Sequence, residues 1–309
     1  MSFRNLPELI KHFESEETCK SYLEKQRWGV NVICPHCNHT KVYRTNRGYK
    51  CASPACYKKF TVISGTIYEG TKIPLSKWFP AVYLCTAHKK GISSIQLGKD
   101  IGVTQKTAWF MLHRIRLMMS DKHADMLEGT TEVDETYVGG KRGNKHKHLR
   151  EKTNAGGTVE KTPVVAMLNR DTKQVHNFVV VKTDSDTLKP LIYGAINTNS
   201  VVITDSYPSY KGLSKDYKHE TVNHRDEEYV RGDYHTNTVE GYFSLLKRGI
   251  IGIYHYVSPK HLHRYCNEFG YRYNTRKITD SARFEHALQQ AKDKRLTWNN
   301  LTAKKTEIN

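Results

Sequence analysis

The chain has 309 residues, is 38% hydrophobic, and carries 49 Lys and Arg against 31 Asp and Glu, a formal charge of +18. This supports a globular protein with one large domain and one or two small modules, and excludes a disordered chain. A pI near 9.5 is the footprint of a polyanion binder. No run approaches the roughly 18 apolar residues of a membrane span, and the first residues lack a signal peptide's apolar core, so a cytoplasmic, nucleoid-associated location is expected.

Residues 1–30 read as a helical lead-in, with Ser15 as cap, Glu16 and Glu17 in the first turn, and Arg27-Trp28-Gly29 closing it. Residues 31–63 read as short strands around cysteine knuckles, with Val42, Tyr43, Tyr49, Phe60 and Val62 as strand residues. Cys34-Pro35-His36-Cys37 and Cys51-x4-Cys56 have the pairing a zinc ribbon needs. Four thiolates around one zinc ion leave no open coordination position, so the metal is structural and supplies folding energy that so small a polar module lacks. His36 and His39 are alternatives beside the first knuckle; four cysteines are favoured. Cys19, Cys85 and Cys266 have no partner spacing and read as buried core residues.

From Leu75 to Met119 the spacing is helical, interrupted at Lys90-Gly91 and Gly102, which predicts three helices. Gly91 to Trp109 has the form of a helix-turn-helix, with Leu97, Ile101, Val103, Ala108, Leu112 and Ile115 closing its core. Thr104, Gln105, Lys106 and Thr107 then begin the second helix facing a double-stranded DNA groove, and Arg114 and Arg116 contact phosphates.

Beyond Gly129 the pattern turns to strands: Thr131–Val138, Thr162–Leu168 and Val175–Val181, then a helix at Thr187–Ile196, a strand at Val201–Thr204, and a long helical pattern from Thr238 to Arg276. This order describes an α/β domain with a mixed sheet and flanking helices. A basic flexible loop is read from Gly139 through Gly157. The divisions are a lead-in at 1–30, a zinc ribbon at 31–63, a helix-turn-helix region at 75–120, a catalytic domain at 129–277 and a C-terminal tail at 278–309.

The acids carry the chemistry. Asp134 lies within an apolar strand, Asp205 ends a buried strand where α/β sheets present functional groups, and Asn237, Glu240 and Lys247 share roughly one face of an amphipathic helix. Converging carboxylates suit two magnesium ions, which take oxygen ligands and leave positions open for substrate phosphate. Lys247 then holds the substrate backbone as a point charge. Glu135, Asp184, Asp186 and Asp233 are competing acids; strand alternation leaves only one of Asp134 and Glu135 on the site face.

Val133-Asp134-Glu135-Thr136-Tyr137-Val138-Gly139-Gly140, Thr204-Asp205 and the run from His235 through Asn237 and Glu240 to Lys247-Arg248-Gly249, with Arg27-Trp28 leading into the first knuckle, resemble the ISXO-two-like group of bacterial insertion-sequence DDE transposases. Tyr254-His255-Tyr256-Val257-Ser258-Pro259 and Phe269 to Arg276 also fit. The resemblance implies an RNase H-like catalytic fold, a magnesium-dependent triad of Asp134, Asp205 and Glu240, and strand cleavage and transfer at terminal inverted repeats. It also implies target DNA as partner and a homo-oligomer in the synaptic complex. The third metal ligand is Asn237, Glu240 or both. The alternative is a DNA-binding transcription regulator without catalysis, which has no need of the three acids.

Overall fold

The computed structural model describes residues 3–120, 125–140, 161–223 and 230–303, which fall into two compact units: residues up to 120 with those from 277 onward, and residues 121–276. Residues 141–157 of the expected basic loop lie outside the described residues.

In the first unit, α1 (Leu6–His12) and α2 (Glu16–Trp28) precede a three-stranded antiparallel ribbon of β1 (Val42–Thr45), β2 (Gly48–Cys51) and β3 (Lys59–Phe60). The Ser15 hydroxyl accepts from Thr18 N, starting α2 as its side-chain chemistry favours. Val62 is buried but lies in a turn after β3 and not in a strand. Three helices follow: α3 (Leu75–Ala87), α4 (Ser94–Ile101) and α5 (Gln105–Met118). Gly102, at φ 64°, adopts the left-handed conformation that closes α4, a conformation that costs glycine little.

Residues 278–309, expected to be a tail, instead contain α9 (Asp280–Gln289) and α10 (Trp298–Thr302). Phe284, Ala287, Leu288 and Ala291 are all buried, a helical stripe that has to find a core. Phe284 packs against Phe13 and Phe79 at ring-centroid distances of 6.1 and 5.7 Å. The lead-in segment and α9 thus share one aromatic core, while Trp298 of α10 packs against Trp109 and Phe110 of α5.

The second unit is a five-stranded mixed sheet in the order β6-β5-β4-β7-β8 with helices on both faces. Its elements are β4 (Thr130–Val138), β5 (Thr162–Asn169), β6 (Val175–Val179), α6 (Ser185–Ala195), β7 (Val201–Asp205), β8 (Lys218–Val222), α7 (Asn237–Gly249) and α8 (Pro259–Asn274). Central β4 runs antiparallel to β5 and parallel to β7. This is the mixed sheet with flanking helices that the resemblance implied.

Two differences from the sequence expectation have physical causes. Strand β8 is a half-exposed edge element of Lys218-His219-Glu220-Thr221-Val222, so it carries no apolar alternation to betray it. The long helical pattern expected from Thr238 to Arg276 is interrupted, divided into two helices by a π-helical turn at Ile250–Tyr254 and by His255 at φ 58°. Pro259 then restarts the chain as the first residue of α8, where its missing N–H costs nothing.

Candidate active site

Strand alternation sorts the acids of β4. Opposite residues across β4 and β5 point to one face, so Glu132, Asp134, Thr136 and Val138 lie with Leu168, Ala166, Val164 and Thr162. That is the face on which Val239, Tyr242, Phe243 and Leu246 of α7 are buried. Glu135 points to the other face, where its carboxylate accepts from the hydroxyl of the buried Tyr210.

Strand β7 lies parallel to β4 with Glu132 opposite Ile203. Each strand continues beyond that pair, Asp134 lying in the middle of β4 and Asp205 at the carboxyl end of β7, close enough for the charge of Asp205 to act on Asp134. Asp205 Oδ1 accepts from Tyr207 N at 3.0 Å and Asp134 Oδ1 from Glu135 N at 2.8 Å. Helix α7 buries its apolar stripe on the sheet and leaves Asn237, Glu240 and Lys247 exposed. The Thr236 hydroxyl donates to Glu240 Oε1 at 3.2 Å.

Burial, joined by the negative charges of Glu135, Asp205 and Glu240, pushes the Asp134 carboxyl up to about 8. Burial and the charge of Asp205 raise Glu135 to about 7, against the opposing effect of the Tyr210 hydrogen bond. The site is therefore a concentration of like charge within a chain of formal charge +18. Hard divalent ions match an all-oxygen donor set of this kind. Among the described residues, however, only the four cysteines form a group of three or more such ligand atoms within 4.8 Å of one another.

The competing acids lie elsewhere. Asp184 Oδ1 accepts from Thr187 N at 3.0 Å and caps α6, Asp186 is exposed in the same first turn, and the Asp233 side chain is exposed.

Cys34 and Cys37 lie on one knuckle, Cys51 ends β2 and Cys56 follows it, with Cys34–Cys56 and Cys37–Cys51 Sγ separations of 3.9 and 3.5 Å. Tetrahedral thiolates about 2.3 Å from zinc stand ~3.8 Å apart, so the quartet fits that ion. His36 and His39 are exposed outside the group, and Cys19, Cys85 and Cys266 are buried thiols, as expected. A structural zinc is the function this arrangement supports.

The expected DNA-contacting residues divide. At the start of α5, Thr104 caps the helix by accepting from Thr107 N, Gln105 Nε2 donates to Ser94 Oγ at 2.9 Å, and Lys106 Nζ stands 4.9 Å from the Trp298 ring centroid. All three are exposed. Arg114 and Arg116 are not available to phosphates: they are 5% and 1% exposed. The Arg114 guanidinium instead donates to Leu296 O and Glu69 O, both at 3.0 Å. The phosphate contacts expected of Arg114 fail because chain at Glu69 and Leu296 covers it.

Two residues escaped the sequence reading. Glu132 is fully buried and paired with Arg170, its Oε1 2.5 Å from Arg170 Nε. The signal was present in Glu132-Val133-Asp134, since acids two apart on a strand share a face.

Residues 126–274 match the ISXO2-like transposase domain, and residues 14–59 match the transposase zinc-ribbon domain. The chain is 32% identical over 253 residues to an uncharacterized protein in transposable element ISH50 of Halobacterium salinarum, covering 77% of this chain and 84% of that protein. A chain in the cryoEM structure of simian T-cell lymphotropic virus intasome in complex with PP2A regulatory subunit B56 gamma is similar at a TM-score of 0.27 and 12% identity, over 61% of this chain and less than two thirds (64%) of that one. So slight a likeness carries no weight. Ribbon and mixed-sheet domain together define a transposase of the insertion-sequence class. The chain belongs to the ISXO2-like transposase family. No helix among the described residues is long and apolar enough to cross a membrane.

Proposed function

We propose that this transposase cuts DNA at the terminal inverted repeats of its element and joins the freed 3′ ends to target DNA. Asp134 and Asp205 would hold two magnesium ions, with Glu240, Asn237 or both as the third ligand. The observation that carries this is the placement of three acids from distant parts of the chain, Asp134 on β4, Asp205 at the end of β7 and Glu240 in the first turn of α7, close enough for the charges of Asp205 and Glu240 to act on Asp134. Two magnesium ions, when bound, supply the Lewis acidity that phosphoryl transfer needs at the attacking and leaving oxygens.

The chain's own residues do the rest. Asp134 and Asp205 stand on adjacent rigid strands, so their oxygens are held before substrate arrives, and Glu240 and Asn237 approach from the first turn of α7. Lys247, seven residues beyond Glu240 and so about 10 Å along the helix axis, sets its charge on a phosphate of the bound strand. In cleavage, water attacks the phosphodiester and the 3′ oxygen leaves as a hydroxyl; in joining, that hydroxyl attacks a target phosphodiester and a second 3′ hydroxyl departs. Thr104, Gln105 and Lys106 meet the DNA groove, with homo-oligomers bringing two element ends together in the nucleoid.

Asp205→Ala in the full, zinc-loaded chain tests the proposal on end-labelled inverted-repeat DNA with magnesium. The variant is expected to keep DNA binding and to lose both cut and joined products. Wild-type cleavage by the variant refutes it.

A further inference from the structure

Helix α7 begins without a local cap. Its N-cap residue Thr236 makes no capping bond through its side chain, and the hydroxyl is turned toward Glu240 instead. The first N–H groups of a helix need acceptors. Here another element provides one: Glu132 Oε2, on β4, accepts from Thr238 N and Val239 N, each at 2.9 Å. The other oxygen, Oε1, accepts from Arg170 Nε at 2.5 Å, and His235 Nδ1 stands 3.5 Å from it. Arg170 extends the link, donating from Nη1 to Asp233 O and from Nη2 to His235 O, the latter at 2.6 Å.

We propose that Glu132 and Arg170 form a latch that positions α7 against β4, and so sets how far Asn237 and Glu240 stand from Asp134 and Asp205. This rests on the metal-site reading above. Glu132 lies two residues before Asp134 on the same face of the same strand, and the amides it holds lie between Asn237 and Glu240. A carboxylate at a helix N-terminus meets the positive end of the helix dipole, and its charge-assisted bonds are short and directional. Glu132 is fully buried, so without Arg170 it becomes an uncompensated buried charge, which favours one defined approach of helix to sheet. Both are positioning residues: neither touches DNA or metal in this scheme.

The test uses the full, zinc-loaded chain with Mn²⁺ alone as probe, titrated by electron paramagnetic resonance in the absence of DNA. Glu132→Gln preserves size but turns an amide N–H toward the Arg170 guanidinium; Arg170→Lys keeps the charge and loses the fork. Both are expected to weaken Mn²⁺ binding about 10–100-fold, the usual effect of removing a group that orients metal ligands. Amide exchange is expected to quicken at Thr238 and Val239 in Glu132→Gln. Where Glu132→Gln does not fold, Arg170→Lys decides. Wild-type Mn²⁺ affinity in the folded variants overturns the latch. Asp205→Ala, run in parallel, separates the two ideas: loss of binding there with wild-type affinity in the latch variants sinks the latch alone, while wild-type binding in Asp205→Ala sinks the metal site and the latch with it.

Discussion

Replacing Gly249 with alanine puts a methyl group 1.9 Å from Cζ and 2.4 Å from Cε1 of Phe269 on α8, a ring that is fully buried. Ordinary carbon contact needs about 3.5 Å, so the ring or the helix has to retreat by about 1.6 Å. Overpacking of this kind costs about 1–3 kcal/mol, and a clash with a buried ring belongs at the upper end. Alanine's better helix propensity returns about 1 kcal/mol, leaving a net loss of about 2 kcal/mol. Gly241, in the same helix, is the control: nothing lies within 4 Å of its would-be Cβ. Its replacement keeps only the propensity gain, about 1 kcal/mol. For a domain of this size each kcal/mol moves the melting temperature by about 2–4 °C, so Gly249→Ala is expected ~4–8 °C below wild type and Gly241→Ala ~2–4 °C above it. Thermal unfolding of the full chain followed by circular dichroism measures both. A Gly249→Ala transition at or above the wild-type temperature refutes the packing of α7 on α8 described here.

Zinc removal, or Cys37→Ser, is expected to unfold the ribbon, because structural zinc contributes about 10–16 kcal/mol to such modules. Trp28, packed on Tyr49 and Phe60 at 5.5 and 6.0 Å, reports the loss as a red-shifted emission, and an unchanged spectrum contradicts it. Asp134, raised from 3.8 to about 8, binds a proton in the folded chain that the unfolded chain has already released, so its contribution to stability falls as pH rises from about 4 to 8. In magnesium-free buffer, the urea midpoint of Asp134→Asn relative to wild type is therefore expected to climb across that window, and magnesium to flatten the climb; a falling difference rejects the assignment. Arg114→Ala strands two carbonyls at a cost of about 1–3 kcal/mol each, so it is expected to lower the melting temperature. DNA affinity per folded molecule should stay intact. Lys106→Ala is expected to do the reverse, reducing the slope of log affinity against log salt by about one while the fold is unaffected.

Motifs with short-range physics were legible in the chain. Paired cysteine knuckles identify a metal ribbon because two thiolates a few residues apart meet one ion whatever surrounds them. The Ser15 cap, the break at Gly102 and the strands from β4 to β6 follow from local hydrogen bonding and from short apolar or alternating runs. Asp134 within a strand, Asp205 at a strand end and Glu240 on an amphipathic helix were likewise readable as placements. Where the reading failed, each residue's environment is supplied by chain far away. Arg114 looks outward along its own helix and is covered by residues near 296, while the segment from 278 onward looks like a tail until its Phe284 stripe meets Phe13 and Phe79.

Composition, spacing and alternation by themselves determined a basic α/β protein with a metal ribbon, because those properties are periodic and local, while its family was carried by the resemblance of longer motif strings. The register of β4 against β7, and the attachment of α7 to that sheet through Glu132, were decided only in three dimensions. The carboxylate that caps α7 lies 106 residues before Thr238, and no local pattern announces which distant acceptor a helix start will find.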